Sequence, residues 1–309
     1  MSQQTASPPQ ALPYAVMLAT PLFFSTNIIF GRYVAGDTAP FVLAFLRWAS
    51  VAAILLPFAL VRQGAAVRAV LADHWRLLLT LGFLGMGLSG GVVYLGLSLT
   101  TATNATLIYS TAPILIILLE RLFRGRAIGL RETAGIALGF AGVAIIVLRG
   151  DLTTLARLTF NPGDLLIAMA SLSWAGYSIL YRAEGLRRLD NMSLFALVAG
   201  FGALVNLPFA AVDLVSAEGL PATREAWYAT GGIVLISSLL AFSGFQYGVR
   251  ALGASVAGMF MYLMTPYGVL MAIVFLGERL EPFHLAGIVL VMTGIGIATL
   301  PAKLFRRRR

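Results

Sequence analysis

The sequence predicts an all-α integral membrane protein with ten transmembrane helices, arranged as two inverted five-helix repeats. The 309 residues are 59% hydrophobic and only 11% charged, and their mean hydropathy is +0.88. A soluble domain carries about 25% charged residues, so this composition excludes a soluble fold. Apolar runs of membrane-spanning length follow one another along the chain, and its two halves align at a nearly constant offset.

The apolar runs define the predicted helices, since a helix that crosses the bilayer needs ~20 largely apolar residues. Charge-free runs of suitable length lie at 11–31, 133–148, 165–181, 191–212, 226–249, 251–277 and 282–302. The run 77–119 is long enough for two helices with a turn at 98–104, and the run 40–61 is interrupted only by Arg47. Together these runs predict ten spans, with loops too short for a soluble domain.

The basic residues predict the orientation of these spans. With a cytoplasmic N-terminus, sixteen Lys and Arg residues lie on the cytoplasmic side and five on the other side. Cytoplasmic loops are enriched in Lys and Arg, so we expect a multi-pass protein of the cell inner (plasma) membrane with both termini in the cytoplasm, where 302–309 forms a basic tail. The net charge of +9 is spread along loops, which argues against a nucleic-acid partner.

An internal repeat relates the predicted five-helix units 14–150 and 163–301. An offset of 150 to 153 residues pairs Tyr94 with Tyr247, Tyr109 with Tyr262, Pro113 with Pro266, Gly135 with Gly287 and Gly142 with Gly294. Five helices are an odd number, so the second unit must enter the membrane from the opposite face. Inverted repeats of this kind allow many secondary transporters to alternate access to a central site.

Two segments, Ala102–Leu148 and Ser255–Leu300, each contain a proline within a helix and a later glycine-rich helix. They resemble the two EamA modules of the drug/metabolite transporter superfamily, the second more closely through Thr265-Pro266 and Leu276-Gly-Glu-Arg279. The resemblance implies ten helices, an inverted repeat and export of small metabolites. Within the superfamily the sequence most resembles the YddG-type aromatic amino acid exporters.

The candidate substrate-binding residues are aromatic and polar side chains within the predicted spans. Such polar groups tend to face a cavity or another helix. The candidates are Phe24, Asn27, Tyr94, Tyr109, Ser110, Trp174, Tyr177, Ser243, Gln246 and Tyr262. This mixture suits an amphipathic substrate, aromatic amino acids first, while an exporter of another drug or metabolite class is the alternative. Any single aromatic residue could instead pack between helices or lie at the membrane interface.

Two prolines and a few charged residues lie within the predicted spans or at their ends. Pro113 and Pro266 are candidate hinges, because each removes a backbone hydrogen bond from its helix. Arg47 has two interpretations: it reaches the interface or backbone carbonyls, or it holds a substrate carboxylate. We expect Glu120 and Glu278 at solvated helix ends, which leaves no acidic group at mid-membrane and favours facilitated export or exchange over proton coupling.

Catalytic chemistry is not expected. The chain has no cysteine and two histidines, so we predict no metal, no cofactor and no catalytic residue. A remote alternative is an intramembrane serine protease, because Gly87-Leu-Ser89-Gly90 resembles the serine motif of rhomboid proteases. A serine nucleophile needs a base within hydrogen-bond reach, and His74 and His284 are both predicted at helix ends. The oligomeric state stays open, and a monomer is compatible with the sequence.

Overall fold

The computed structural model describes residues 11–34, 36–151, 153–216, 219–276 and 279–299, and all regular elements within these ranges are helical. The predicted tail 302–309 lies outside the described residues. In chain order the α-helices are α1 (Ala11–Val34), α2 (Pro40–Gly82), α3 (Val92–Leu99), α4 (Ala102–Tyr109), α5 (Ala112–Arg124), α6 (Leu130–Val147), α7 (Thr153–Ala156), α8 (Pro162–Leu180), α9 (Asn191–Ser216), α10 (Arg224–Gly232), α11 (Ala241–Leu252), α12 (Ala254–Phe260), α13 (Met264–Leu276) and α14 (Pro282–Thr299).

Nine segments of the described ranges are long and apolar enough to cross a membrane. One of them, Pro40–Leu99, has 60 residues. At 1.5 Å per residue such a helix extends ~90 Å, about three bilayer cores, so it has room for two crossings. The backbone leaves helical geometry at Gln63 (φ −138°) and His74 (φ −131°), which divides this segment. The nine segments therefore accommodate the ten predicted crossings, the second and third being joined by a helical linker.

Two π-helical segments interrupt the third and eighth predicted crossings. Phe83–Gly91 links α2 to α3, and Ile233–Leu240 links α10 to α11. π segments are rare and often lie at functional sites, since the extra residue per turn redirects the side chains. In the first segment glycine also permits close packing: a Cβ at Gly85 would lie 2.6 Å from the Tyr177 ring.

The fourth and ninth predicted crossings are broken just before their prolines. Helix α4 ends at Tyr109 and α5 begins at Ala112, while a 3-10 turn at Met261–Leu263 separates α12 from α13. A proline ring clashes with the carbonyl four residues earlier, which here belongs to Tyr109 and Tyr262. At both candidate hinges the helix is therefore interrupted, at the place where this clash would arise.

Helices α6 and α14, which correspond to the fifth and tenth predicted crossings, pack tightly against each other. A Cβ at Gly135 would lie 2.5 Å from the Gly294 carbonyl oxygen, and a Cβ at Gly142 would lie 2.6 Å from that of Gly287. The sequence offset that relates the two halves exchanges these two contacts. Helix α2 packs along α9 in the other major helix pair.

Candidate functional site

A cavity of about 590 Å³ lies between the two halves of the chain. Its wall is formed by α1, α2, the π segment Phe83–Gly91, and α3 to α6 from the first half, and by α8 and α11 to α13 from the second. Ligand sites typically have volumes of about 300–1,000 Å³, so a small metabolite fits. The breaks before Pro113 and Pro266 both border this space, because Tyr109, Ser110, Met261 and Tyr262 line it.

Seven of the ten candidate substrate-binding residues line the cavity: Phe24, Asn27, Tyr94, Tyr109, Ser110, Trp174 and Tyr262. Of the two candidate hinges, Pro113 lines it as well. Tyr177, Ser243, Gln246 and Pro266 are not part of its lining.

Tyr177 and Gln246 bind each other away from the cavity. The Gln246 amide nitrogen donates to the Tyr177 hydroxyl at 2.6 Å, and the Tyr181 hydroxyl donates to the Gln246 carbonyl oxygen at 3.0 Å. All three side chains are buried, so this chain of hydrogen bonds joins α8 to α11. The Ser243 hydroxyl contacts Met192 on α9, its Oγ being 3.7 Å from the sulfur. These residues have a packing partner that satisfies their polar groups.

Aromatic rings form one wall of the cavity. The Trp174 ring meets Phe24 and Phe242 edge to face, at centroid distances of 6.2 and 5.5 Å, and lies 4.7 Å from Phe245. Edge-to-face contacts of this kind are the favoured geometry of aromatic pairs, and each contributes about 0.5–1.5 kcal/mol beyond its buried area. The wall is therefore held in one arrangement by rings from α1, α8 and α11.

Arg47 is buried in the cavity wall, with only 6% of its surface exposed. Its Nε donates to the Ser238 hydroxyl at 2.5 Å, Nη1 to the Tyr94 hydroxyl at 3.1 Å and Nη2 to the Ser237 carbonyl at 3.0 Å. The guanidinium does reach a backbone carbonyl, one of the interpretations left open above, but it does not extend to the interface. Its acceptors come from the π segment Ile233–Leu240 and from α3.

Two aromatic rings lie next to the same guanidinium. Its central carbon is 4.7 Å from the Trp48 ring centroid and 5.5 Å from that of Phe242. Among the described residues no carboxylate forms an ion pair with Arg47. The sequence signal for this site was a single arginine inside an otherwise uncharged span, which by itself does not reveal what the side chain contacts.

Two polar atoms of the lining have no hydrogen-bond partner in the described part of the protein, namely Asn27 Oδ1 and the Tyr262 hydroxyl. Buried polar groups are nearly always hydrogen-bonded to protein or water. Asn27 Oδ1 can accept a hydrogen bond, and the Tyr262 hydroxyl can donate or accept one. Both atoms are shielded in this structure, so two residues of the lining carry polar groups whose hydrogen-bonding capacity is unused among the described residues.

The prediction that Glu120 lies at a solvated helix end is wrong. The side chain is buried, with 3% of its surface exposed. Arg126 Nη1 lies 2.9 Å from Glu120 and 2.8 Å from Glu132, and the Ser255 hydroxyl donates a short hydrogen bond to Glu120. The loop after α5 folds back and brings Arg126 over the carboxylate, which sequence spacing alone could not reveal. Burial, followed by the charge of Arg124, lowers the pKa of the nearby Arg182. Glu278 lies outside the described residues.

The serine of the rhomboid-like motif and the two histidines lie apart in the described structure. Ser89 donates to the Ala170 carbonyl at 3.0 Å, His74 packs against Gly185, and His284 accepts from the Glu281 amide at 3.0 Å. No base therefore stands beside the serine of the rhomboid-like motif in the described structure. The same residues contain no group of three or more His, Asp or Glu side chains suited to a metal ion.

Curated relatives match nearly the whole chain. An uncharacterized transporter of Archaeoglobus fulgidus is 27% identical over 93% of this chain and 96% of its own length. The uncharacterized inner membrane transporter YedA of Escherichia coli (strain K12) is 23% identical over 96% and 94%. A probable terminal-alkyne amino-acid exporter of Streptantibioticus cattleyicolor is 28% identical over 63% of each chain.

A structural superposition and a family match point to the same kind of protein as these relatives. A solved structure described only as "Crystal structure of protein" superposes with a TM-score of 0.75 over 96% of this chain and 99% of its own, at 20% identity, so the two share a fold. The model of the EamA-like transporter family matches twice, over residues 11–148 and 161–300. The chain is thus a multi-pass membrane transporter rather than an enzyme, and it belongs to the EamA-like transporter family.

Proposed function

We propose that this protein exports small amphipathic metabolites, most of all amino acids with an aromatic side chain, as YddG-type exporters do. The observation that carries the proposal is the cavity between the two halves, which combines an aromatic wall with hydroxyl and amide groups. Aromatic rings suit an apolar side chain, and a few placed polar groups suit a charged head. The similarity to a probable amino-acid exporter supports the same substrate class.

Transport proceeds by alternating access between two inverted repeats, 14–150 and 163–301 in the proposed division. Three pairs of features support the repeat: the two π segments, the two breaks before Pro113 and Pro266, and the two glycine contacts between α6 and α14. A twofold relation between the halves would exchange the members of each pair. An inverted repeat reaches its second state when the two halves exchange conformations, which moves the opening across the membrane.

The two prolines act as hinges in this scheme. Both breaks lie beside the cavity, where movement of α5 or α13 would change its opening. Replacing Pro113 with alanine would remove the clash that separates α4 from α5. We therefore expect Pro113→Ala to slow the maximal transport rate with little change in half-saturating substrate concentration, and an unchanged rate would contradict the hinge.

The function is tested by transport into proteoliposomes. We expect the purified protein to carry labelled tryptophan and phenylalanine faster than alanine or glutamate. Because no acidic side chain lines the cavity among the described residues, we expect the rate to be unchanged when an ionophore collapses the proton gradient. Failure to carry any amino acid would refute the substrate class, and strict dependence on the gradient would refute facilitated transport.

A further inference from the structure

We propose that Arg47 is the carboxylate-binding group of the cavity, so that the transporter selects substrates with a free carboxylate over their amides, esters and decarboxylated amines. The proposal rests on the proposed function, since it names the substrate class of the same cavity. It goes beyond that function by assigning the recognition of the charged head to one side chain.

The hydrogen bonds of Arg47 leave donors free for a ligand. A guanidinium has five N–H groups, one on Nε and two on each terminal nitrogen. Each nitrogen uses one of its N–H groups: Nε donates to Ser238, Nη1 to Tyr94 and Nη2 to the Ser237 carbonyl. One N–H on each terminal nitrogen thus has no acceptor among the described protein atoms. Two N–H groups on neighbouring nitrogens are what a carboxylate binds in a bidentate pair.

The charge of Arg47 gives a second reason. The side chain is a buried cation, and no carboxylate of the described residues pairs with it. A buried charge without a partner is costly, and charged side chains within membrane spans usually pair or line a substrate pathway. No Asp or Glu is among the described residues that line the cavity. A substrate carboxylate would supply the missing countercharge.

The Arg47 guanidinium has hydrogen-bond acceptors on one side and aromatic rings next to it. Phe242 lies beside Arg47 and also packs against Trp174, so a carboxylate on Arg47 places the rest of the substrate toward the aromatic wall. The Thr26 and Ser237 hydroxyls are 2.9 Å apart, which brings this part of α1 to the Arg47 acceptors. The next residue, Asn27, lines the cavity, and its Oδ1 has no hydrogen-bond partner among the described residues.

The first test uses the unaltered protein, so it does not depend on a variant that folds. In proteoliposomes, tryptophan amide and tryptamine compete against labelled tryptophan uptake alongside unlabelled tryptophan. Removing one partner of a buried, hydrogen-bonded charge pair costs about 2–5 kcal/mol, so we expect both analogues to compete at least about 30-fold more weakly. Equal competition by the amide would overturn the proposal.

The second test changes the side chain. We expect Arg47→Gln to reduce the preference for tryptophan over its amide to within about threefold, because glutamine lacks both the charge and the fork of donors. Arg47→Lys keeps the charge without the bidentate geometry and should retain part of the preference. Arg250→Gln is the matched control, since Arg250 donates to the Leu189 carbonyl outside the cavity and its loss should leave the preference intact.

A binding measurement separates this proposal from amino-acid export itself. The chain has 4 tryptophans, so quenching of their fluorescence can report binding of 3-phenylpropionate and of its amide. If no amino acid is transported but the carboxylate binds at least about 30-fold better than the amide, and Arg47→Gln abolishes this difference, amino-acid export fails and Arg47 keeps its role. If the carboxylate binds no better than its amide, the role of Arg47 is overturned whatever the transport result.

Discussion

Trp174 is the residue on which the aromatic wall of the cavity depends, since it contacts Phe24, Phe242 and Phe245. We expect Trp174→Ala to raise the half-saturating concentration for tryptophan about two- to tenfold, because one aromatic contact contributes about 0.5–1.5 kcal/mol. Initial rates in proteoliposomes over a range of substrate concentrations measure this. The effect on alanine transport should be smaller, as alanine has no ring to pack.

Tyr177→Phe is the matched control for that substitution. Tyr177 lies on the same helix as Trp174 but outside the cavity, and its hydroxyl accepts from Gln246 at 2.6 Å. Losing this hydroxyl leaves a buried amide without an acceptor for its N–H, so the variant should unfold at a lower temperature and keep its half-saturating concentration. A larger transport effect for Tyr177→Phe than for Trp174→Ala would contradict the assignment of the site.

The candidate residues were chosen from their polarity within apolar spans, and the structure places only some of them at the cavity. Polar side chains inside apolar spans were sufficient to predict Asn27, Tyr109 and Tyr262 as candidates, and all three line the cavity. The same criterion selected Tyr177 and Gln246, which satisfy each other instead. Their positions are 69 residues apart, and whether two polar groups meet across helices is not encoded in the neighbourhood of either one.

At the scale of elements, the contact between α6 and α14 depends on the absence of side chains. A Cβ at Gly142 would lie 2.6 Å from the Gly287 carbonyl, a backbone atom that cannot move by itself. We expect Gly142→Ala to destabilise the protein by about 1–3 kcal/mol, as overpacking does, and to lower the unfolding temperature in detergent. Gly231→Ala is the control: apart from its chain neighbours and the backbone of its own helix, no atom lies within 4 Å of its Cβ position, so stability should be unchanged or slightly higher. Equal unfolding temperatures for both variants would contradict the predicted clash.

Periodicity and hydropathy did not determine how the second and third crossings are connected. The run 40–61 and the run 77–119 are separate apolar segments in the sequence, yet a helical linker joins them into one stretch from Pro40 to Leu99. The linker contains Arg68 and Arg76, whose charges suggested a loop, but charged residues with good helix propensity continue a helix outside the membrane. Likewise, hydropathy indicates an apolar third crossing but not its geometry, and the glycine-rich stretch Phe83–Gly91 forms a π segment.

At the scale of the whole molecule, the proposed inversion of the two repeats makes a topological prediction. Ala127 and Arg279 are related by the repeat offset and both are exposed, so inverted halves place them on opposite sides of the membrane. The chain has no cysteine, so Ala127→Cys and Arg279→Cys each introduce a single thiol. In intact cells we expect an impermeant maleimide to label position 279 and to label position 127 only after permeabilisation. Labelling of both from the same side would refute the inversion, and the reverse pattern would refute cytoplasmic termini.

Sequence alone was sufficient for the membrane class, for a chain of about nine or ten apolar helices and for the family resemblance. These follow from a local requirement, because each crossing must be about 20 apolar residues long whatever it packs against. The tertiary structure decided which of the scarce polar groups meet: Arg47 with Ser237, Ser238 and Tyr94, and Arg126 with Glu120. Such contacts join distant segments, and their partners are set by how helices pack, which spacing along one helix does not contain. The arginine that merely interrupted one apolar run is, in three dimensions, a buried cation beside an aromatic cavity.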